Sequence, residues 1–144
     1  MRRAAVVTRS IDPAAIMDEV RSREYGAVSI FIGTVRDTNE GRSVSSIDYS
    51  AYVPMAEAEL DRIIVEAIEK FGVGAVVVEH RIGPLGLADV SVAIAVAHAH
   101  RAPALEATRF LIERIKSEVP IWKLEHYSDG AAGWIDPTDA VAQT

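Results

Sequence analysis

The hydrophobic and polar positions change period several times along the chain, and each change marks an element. Residues 4–8 are a short apolar run that predicts a strand. Ile11-Asp12-Pro13 then predicts a helix start. Asp12 is the type that caps free amides, Pro13 suits the first helical position, and Ile11 and Ile16 have staple spacing. That helix is expected to run to about Arg23. Gly26–Val35 (GAVSIFIGTV) is rich in β-branched residues and predicts a strand. Arg36–Arg42 is a polar loop with a turn signal, and Val44–Tyr52 alternates as a returning strand. Pro54 opens an amphipathic helix to Phe71, with Leu60, Ile63, Ile64, Ala67, Ile68 and Phe71 on one stripe.

Gly74–Ile82 predicts a third strand, and Gly83–Leu87 (GPLGL) a turn. Val90–His98 is almost continuously apolar, as expected of a central strand buried on both faces. Pro103–Ser117 predicts a third helix, with Leu105, Thr108, Leu111, Ile112 and Ile115 as its buried stripe. Val119-Pro120 ends it, because the ring of a proline disfavours helix in the residue before it. Ile121–Tyr127 and Trp134-Ile135 read as late strands. The order of hairpins and three main helices implies an α+β fold with a mixed or antiparallel sheet, in one domain over residues 1–144.

Composition narrows the function classes. The 144 residues are 49% hydrophobic and 25% charged, ordinary for a globular domain with a sizeable core. A net charge of -6 argues against nucleic acid or an anionic membrane as the partner, so any anion site must be a local cluster of cations. There is no cysteine, which excludes disulfides, thiolate nucleophiles and cysteine-ligated metals. The run Ala4–Thr8 is too short for a signal-peptide core or a membrane span, so a cytoplasmic protein is expected.

The candidate chemistry lies in the cations. Lys116 falls in the last turn of the third helix, and Lys123 on the extended segment beyond the break. Two cations on different elements meeting at one bend can converge on one pocket. A partly desolvated lysine has a lowered pKa and serves as base, nucleophile or anion clamp. The plainer readings are a helix-dipole partner for Lys116 and the polar face of an edge strand for Lys123. Arg36 follows Gly33-Thr34-Val35 at a strand mouth, where its planar fork suits phosphate or carboxylate; the alternative is a solvated loop arginine near Asp37 and Glu40. Gly33 leaves room for a ligand or backbone to approach. In His98-Ala99-His100-Arg101, His100 and Arg101 stand at a helix N-terminus, where a cation opposes the macrodipole unless an anion binds between them. An ion pair of Arg101 with Glu106 is the competing explanation. His98 and His100 share a strand face, with His80 and His126 elsewhere, but no carboxylate has metal-ligand spacing, so no metal is expected.

Taken together, FIGTVRDTNEG (31–41), Tyr52–Met55, HRIGPLGLAD (80–89), AHAHRAPALEA (97–107) and KSEVPIWKLE (116–125) resemble the catalytic (large) subunit of molybdopterin synthase, the MoaE family. The resemblance runs in order over about residues 5–136. It implies an α/β-hammerhead-type fold and a sulfurtransferase that converts cyclic pyranopterin monophosphate (precursor Z) to molybdopterin. Sulfur would come from the thiocarboxylated C-terminal Gly-Gly of a small ubiquitin-like MoaD-type subunit, which accounts for the missing cysteine. The resemblance places substrate binding on Arg36, His100, Arg101 and Lys116, and catalysis on Lys116 and Lys123. It further implies a homodimer within a heterotetramer, some site residues crossing between subunits, and no cofactor. The sequence departs from the family pattern at Thr34, where many relatives carry lysine, at Tyr-Val-Pro-Met (52–55), and in a short tail to Thr144. Three other classes compete: a non-enzymatic module that captures a ubiquitin-like tail, a different phosphate-handling enzyme reusing the cations, and a histidine-ligated metal protein.

Overall fold

The computed structural model describes residues 1–135; the short tail to Thr144 lies outside the described residues. Four strands form the first sheet: β1 (Arg2–Val7), β5 (Ala75–Arg81), β7 (Val90–His98) and β2 (Ala27–Thr34), in that spatial order. β1 runs parallel to β5, and the β5–β7 and β7–β2 pairs are antiparallel, so the sheet is mixed. β7 is central, as its unbroken apolar run requires.

Alternation in β5 and β7 decides which helix packs where. Ala75, Val77, Ala93, Ala95 and Ala97 make one flat face of mostly small side chains. The short helix α1 (Pro13–Val20) lies against it through Ile16 and Val20. Val76, Val78, Val92, Ile94 and Val96 make the bulky opposite face, covered by α2 (Val53–Phe71) and α3 (Arg101–Glu118). The same alternation turns Glu79 toward the α1 side and His80 toward the α2–α3 side. Glu79 is 1% exposed and bonded to Arg3 and Arg9, which ties β1 and the following loop to the sheet.

The second sheet places β4 (Arg42–Ala51) beside β8 (Ile121–Tyr127), flanked by β3 (Thr38–Asn39), β6 (Gly83–Gly86) and β9 (Ala132–Ile135). Among the described residues, three helices and two sheets make the α+β fold that the sequence implied. No helix among the described residues is long and apolar enough to cross a membrane.

Several expectations are corrected. α1 stops at Val20, with Arg21 extended, and does not reach Arg23. Its start holds: Asp12 accepts from the amides of Ala14 and Ala15 at 3.0 and 3.3 Å. Gly83–Gly86 is a short strand on β4 rather than a bare turn, Gly83 taking φ +97° at its start. α3 begins at Arg101, before Pro103. Leu105 is 60% exposed, so it is not part of the buried stripe, which runs through Ala104, Ala107, Thr108, Leu111 and Ile115. One helical position off that stripe rotates Leu105 about 100° toward the side of exposed Arg109.

Candidate functional site

The helix break at Val119-Pro120 sets the site. Lys116 is in the last turn of α3, and the chain re-enters as β8. In β8, Ile121, Lys123, Glu125 and Tyr127 face inward, while Trp122 is 45% exposed on the outer face. Register puts Lys123 beside Tyr49 and Glu125 beside Ile47 of β4. Since β8 lies between β4 and β9, Lys123 is not on an edge strand, and its side chain is only 20% exposed.

Lys116, Lys123 and Arg36 line one cleft between the two sheets, of about 350 Å³, together with Gly33, Thr34, Asn39, Tyr49, Ser91 and Glu125. That volume suits a small ligand. The predicted convergence of the two lysines is therefore present, and Arg36 joins it from the end of β2. Gly33 answers a tight contact of another kind: a Cβ there would stand 2.7 Å from Val92 Cγ1, so the missing side chain makes room for the neighbouring strand.

Burial against apolar walls pushes the Lys116 ammonium down to about 8, with repulsion from Lys123 adding to the effect. Burial also lowers Lys123; Glu125 opposes that change and Arg36 reinforces it. Burial raises the Tyr49 hydroxyl, against a hydrogen bond with Ser91. Glu125, 2% exposed, is the negative counterpart of the cluster. It accepts from Asn39 Nδ2 at 2.8 Å and from the Tyr127 hydroxyl at 3.0 Å, and lies 3.8 Å from Lys123 Nζ. A lysine near neutrality beside a second, anion-seeking lysine can hold an anion, donate a proton or take one up.

His100 and Arg101 are elsewhere. They line a separate hollow with Gly26, Ala27, Ala99 and Ala102, where β7 ends and α3 begins. β2 pairs Ala27 with His98 at one end and Thr34 with Val90 at the other. Its eight residues separate that hollow from Arg36 by roughly 25 Å within one chain. His100 is the N-cap of α3 without a side-chain capping bond, and it does not share a strand face with His98, because β7 has ended. Its amide donates to His98 Nδ1 at 2.9 Å. Among the described residues Arg101 has no ion pair, with Glu106 or otherwise, and no group of three or more metal-ligating side chains assembles.

Sequence reasoning passed over Glu125, Asn39, Tyr49 and Ser91, and weighed His80 only as a metal ligand. Glu125 was within reach, since strand alternation puts it on the same face as Lys123. The others enter through pairings that strand register alone decides.

The family model described as "MoaE protein" matches residues 6–118. The chain is 43% identical over 129 residues to the molybdopterin synthase catalytic subunit of Halalkalibacterium halodurans, covering 90% of this chain and 83% of that protein. The crystal structure of molybdopterin synthase from Staphylococcus aureus superposes with a TM-score of 0.86 at 39% identity, covering 91% of this chain and 95% of that one. A complex of subunits 1 and 2 of molybdopterin-converting factor from Helicobacter pylori shares the fold, with a TM-score of 0.74 at 20% identity over 92% of this chain and 88% of that one. The profile over most of the chain and the depth of these similarities together establish that the chain belongs to the MoaE protein family.

Proposed function

We propose that this chain is the catalytic subunit of a molybdopterin synthase, an enzyme of molybdenum cofactor biosynthesis. It transfers sulfur from the thiocarboxylated C-terminus of a small MoaD-type subunit to precursor Z, forming the dithiolene of molybdopterin. The observation that carries this reading is the meeting of Lys116, Lys123 and Arg36 in one cleft of about 350 Å³, with both lysines held below their ordinary pKa. Relatives named as this subunit, and a two-subunit complex of the same fold, support it.

Arg36 holds the substrate's phosphate and pterin with its bidentate fork. Lys116, with a pKa of about 8, is about nine-tenths protonated at neutral pH. It stabilises the oxyanion that develops when the thiocarboxylate reacts, and passes a proton as acid or base. Lys123 anchors the partner's terminal carboxyl group. Once the sulfur is bonded to the substrate as a thioester, the neutral Lys123 amine attacks the acyl carbon and the C–S bond breaks, which leaves the sulfur on the substrate as a thiolate and the tail as a transient amide that water cleaves. Glu125 limits how far Lys123 loses its proton.

His100 and Arg101 cannot reach this cleft within one chain. In a homodimer that sets the start of α3 in one protomer against the cleft of its partner, they complete the anion site at a helix N-terminus. One small subunit on each end makes the heterotetramer, working in the cytoplasm.

The test is a single-turnover reaction of the purified chain with precursor Z and thiocarboxylated small subunit, read as the fluorescent oxidation product of molybdopterin. Product that depends on the thiocarboxylate supports the proposal. Binding of the small subunit without product favours a tail-capturing module, and absence of both returns the cluster to some other phosphorylated ligand.

A further inference from the structure

A second, smaller cavity of about 30 Å³ shares Tyr49, Lys116 and Lys123 with the main cleft and is completed by His80, Ile115, Val119 and Ile121. His80 is a buried ionisable group here that the proposed chemistry leaves unused. It is 3% exposed, on the α2–α3 face of β5. Its ring packs edge-on against Tyr49, with centroids 5.2 Å apart. Its Nδ1 lies 2.9 Å from the Arg81 carbonyl, an acceptor only, so Nδ1 carries the proton and donates. Nε2 is therefore left with a lone pair.

We propose that His80 is a positioning residue for Lys116: its Nε2 accepts a hydrogen bond relayed from the Lys116 ammonium by one water in the cavity they share. The cavity is large enough for a water, and the imidazole and the two lysine amines supply its polar partners. A neutral imidazole suits the task better than a carboxylate. A carboxylate would pair with the ammonium and return its pKa toward the ordinary lysine range, whereas imidazole orients the amine without cancelling its charge. Burial first, and then Lys116 itself, push His80 down to about 3, so the ring stays neutral throughout the working range. The groups around Lys116 are Lys123 and Glu125 from β8, Tyr49 from β4, Arg36 after β2 and His80 from β5. Of these, the His80 imidazole and the Tyr49 hydroxyl are the neutral groups that line the smaller cavity, and the imidazole Nε2 is an acceptor only.

The inference rests on the catalytic reading of Lys116 for its purpose, but its test needs neither substrate nor partner, so the two can fail separately. In the unmodified protein, nitrogen NMR of the histidines should show His80 as the Nδ1–H tautomer, with an Nε2 signal that moves as Lys116 titrates. His80→Asn keeps a donor for the Arg81 carbonyl and loses the Nε2 acceptor. Labelling of the Lys116 amine against pH, read by mass spectrometry, should then show about fivefold more reactive amine at neutral pH, because the charged form has lost a bond and its pKa falls by about one unit. His80→Gln, whose amide oxygen reaches the Nε2 position, should restore the original titration. An Nε2–H tautomer in the unmodified protein overturns the proposal even if no variant folds. So does a folded His80→Asn protein whose Lys116 titrates as before.

Discussion

Replacing Lys116 with methionine should make the protein more stable while removing its chemistry. The two side chains are similar in length, so packing changes little. The charge is what changes. Lowering the amine from 10.5 to about 8 corresponds to roughly 3 kcal/mol of unfavourable folding free energy at ~1.36 kcal/mol per pH unit. Lys116 is only half-buried and caps the C-terminal end of α3, where a cation is favourable, so a net gain of ~1–3 kcal/mol is expected at pH 7. The sign follows from the two pKa values. Below pH 8 both the folded and unfolded chains carry the proton, and the penalty is fully present. Between 8 and 10.5 the unfolded chain binds more protons, so the unmodified protein gains stability with rising pH. The advantage of Lys116→Met should therefore shrink across that window. Lys123 and Tyr49 titrate in both proteins, so the difference isolates Lys116. Urea unfolding at matched protein concentration, at pH 7 and at pH 10, measures it. A variant less stable than the parent by more than about 1 kcal/mol at pH 7, with a gap indifferent to pH, would refute the claim that Lys116 is held in a strained, desolvated state.

Glu125→Ala leaves Asn39 and Tyr127 without their buried acceptor and Lys123 without its counter-ion; a loss of ~2–4 kcal/mol in urea unfolding is expected, with Lys123 labelling at lower pH than in the parent. Leu111→Ala should cost about 3 kcal/mol, and Leu105→Ala less than about 0.5, since Leu111 is fully buried and Leu105 is 60% exposed; thermal unfolding of the pair checks the corrected stripe on α3. Mixing Arg101→Ala and Lys116→Ala chains should recover up to about a quarter of the parental sites, because random exchange makes half the dimers mixed and each restores one site. No recovery in dimers shown to exchange would place both residues in the same protomer's site.

Much of this arrangement is legible in the sequence where local physics dominates. The Asp12 cap, the Val119-Pro120 break and the central placement of β7 follow from chain chemistry within a few residues, and the structure has all three. The convergence of Lys116 and Lys123 is also local, because a single bend joins their elements. What escaped depends on pairing across the sheets. Gly83–Gly86 carries turn residues, yet it pairs along β4 because that strand offers free amides and carbonyls there. Leu105 fits a helical period by count but sits one position from the buried line. His100 and Arg101 resemble part of one cluster with Arg36, yet the antiparallel register of β2 and β7 sends them to opposite ends of the sheet. His80 gives no sequence signal beyond lying in a strand; only its face and its depth connect it with Lys116.

The central claim is that Lys116 carries the chemistry of sulfur transfer in the cleft between the two sheets. Its most direct test is single-turnover molybdopterin formation by Lys116→Ala, with dimer assembly and small-subunit binding measured in the same preparation. The account predicts loss of product with assembly and binding unchanged. Ordinary turnover by the assembled Lys116→Ala protein would contradict it.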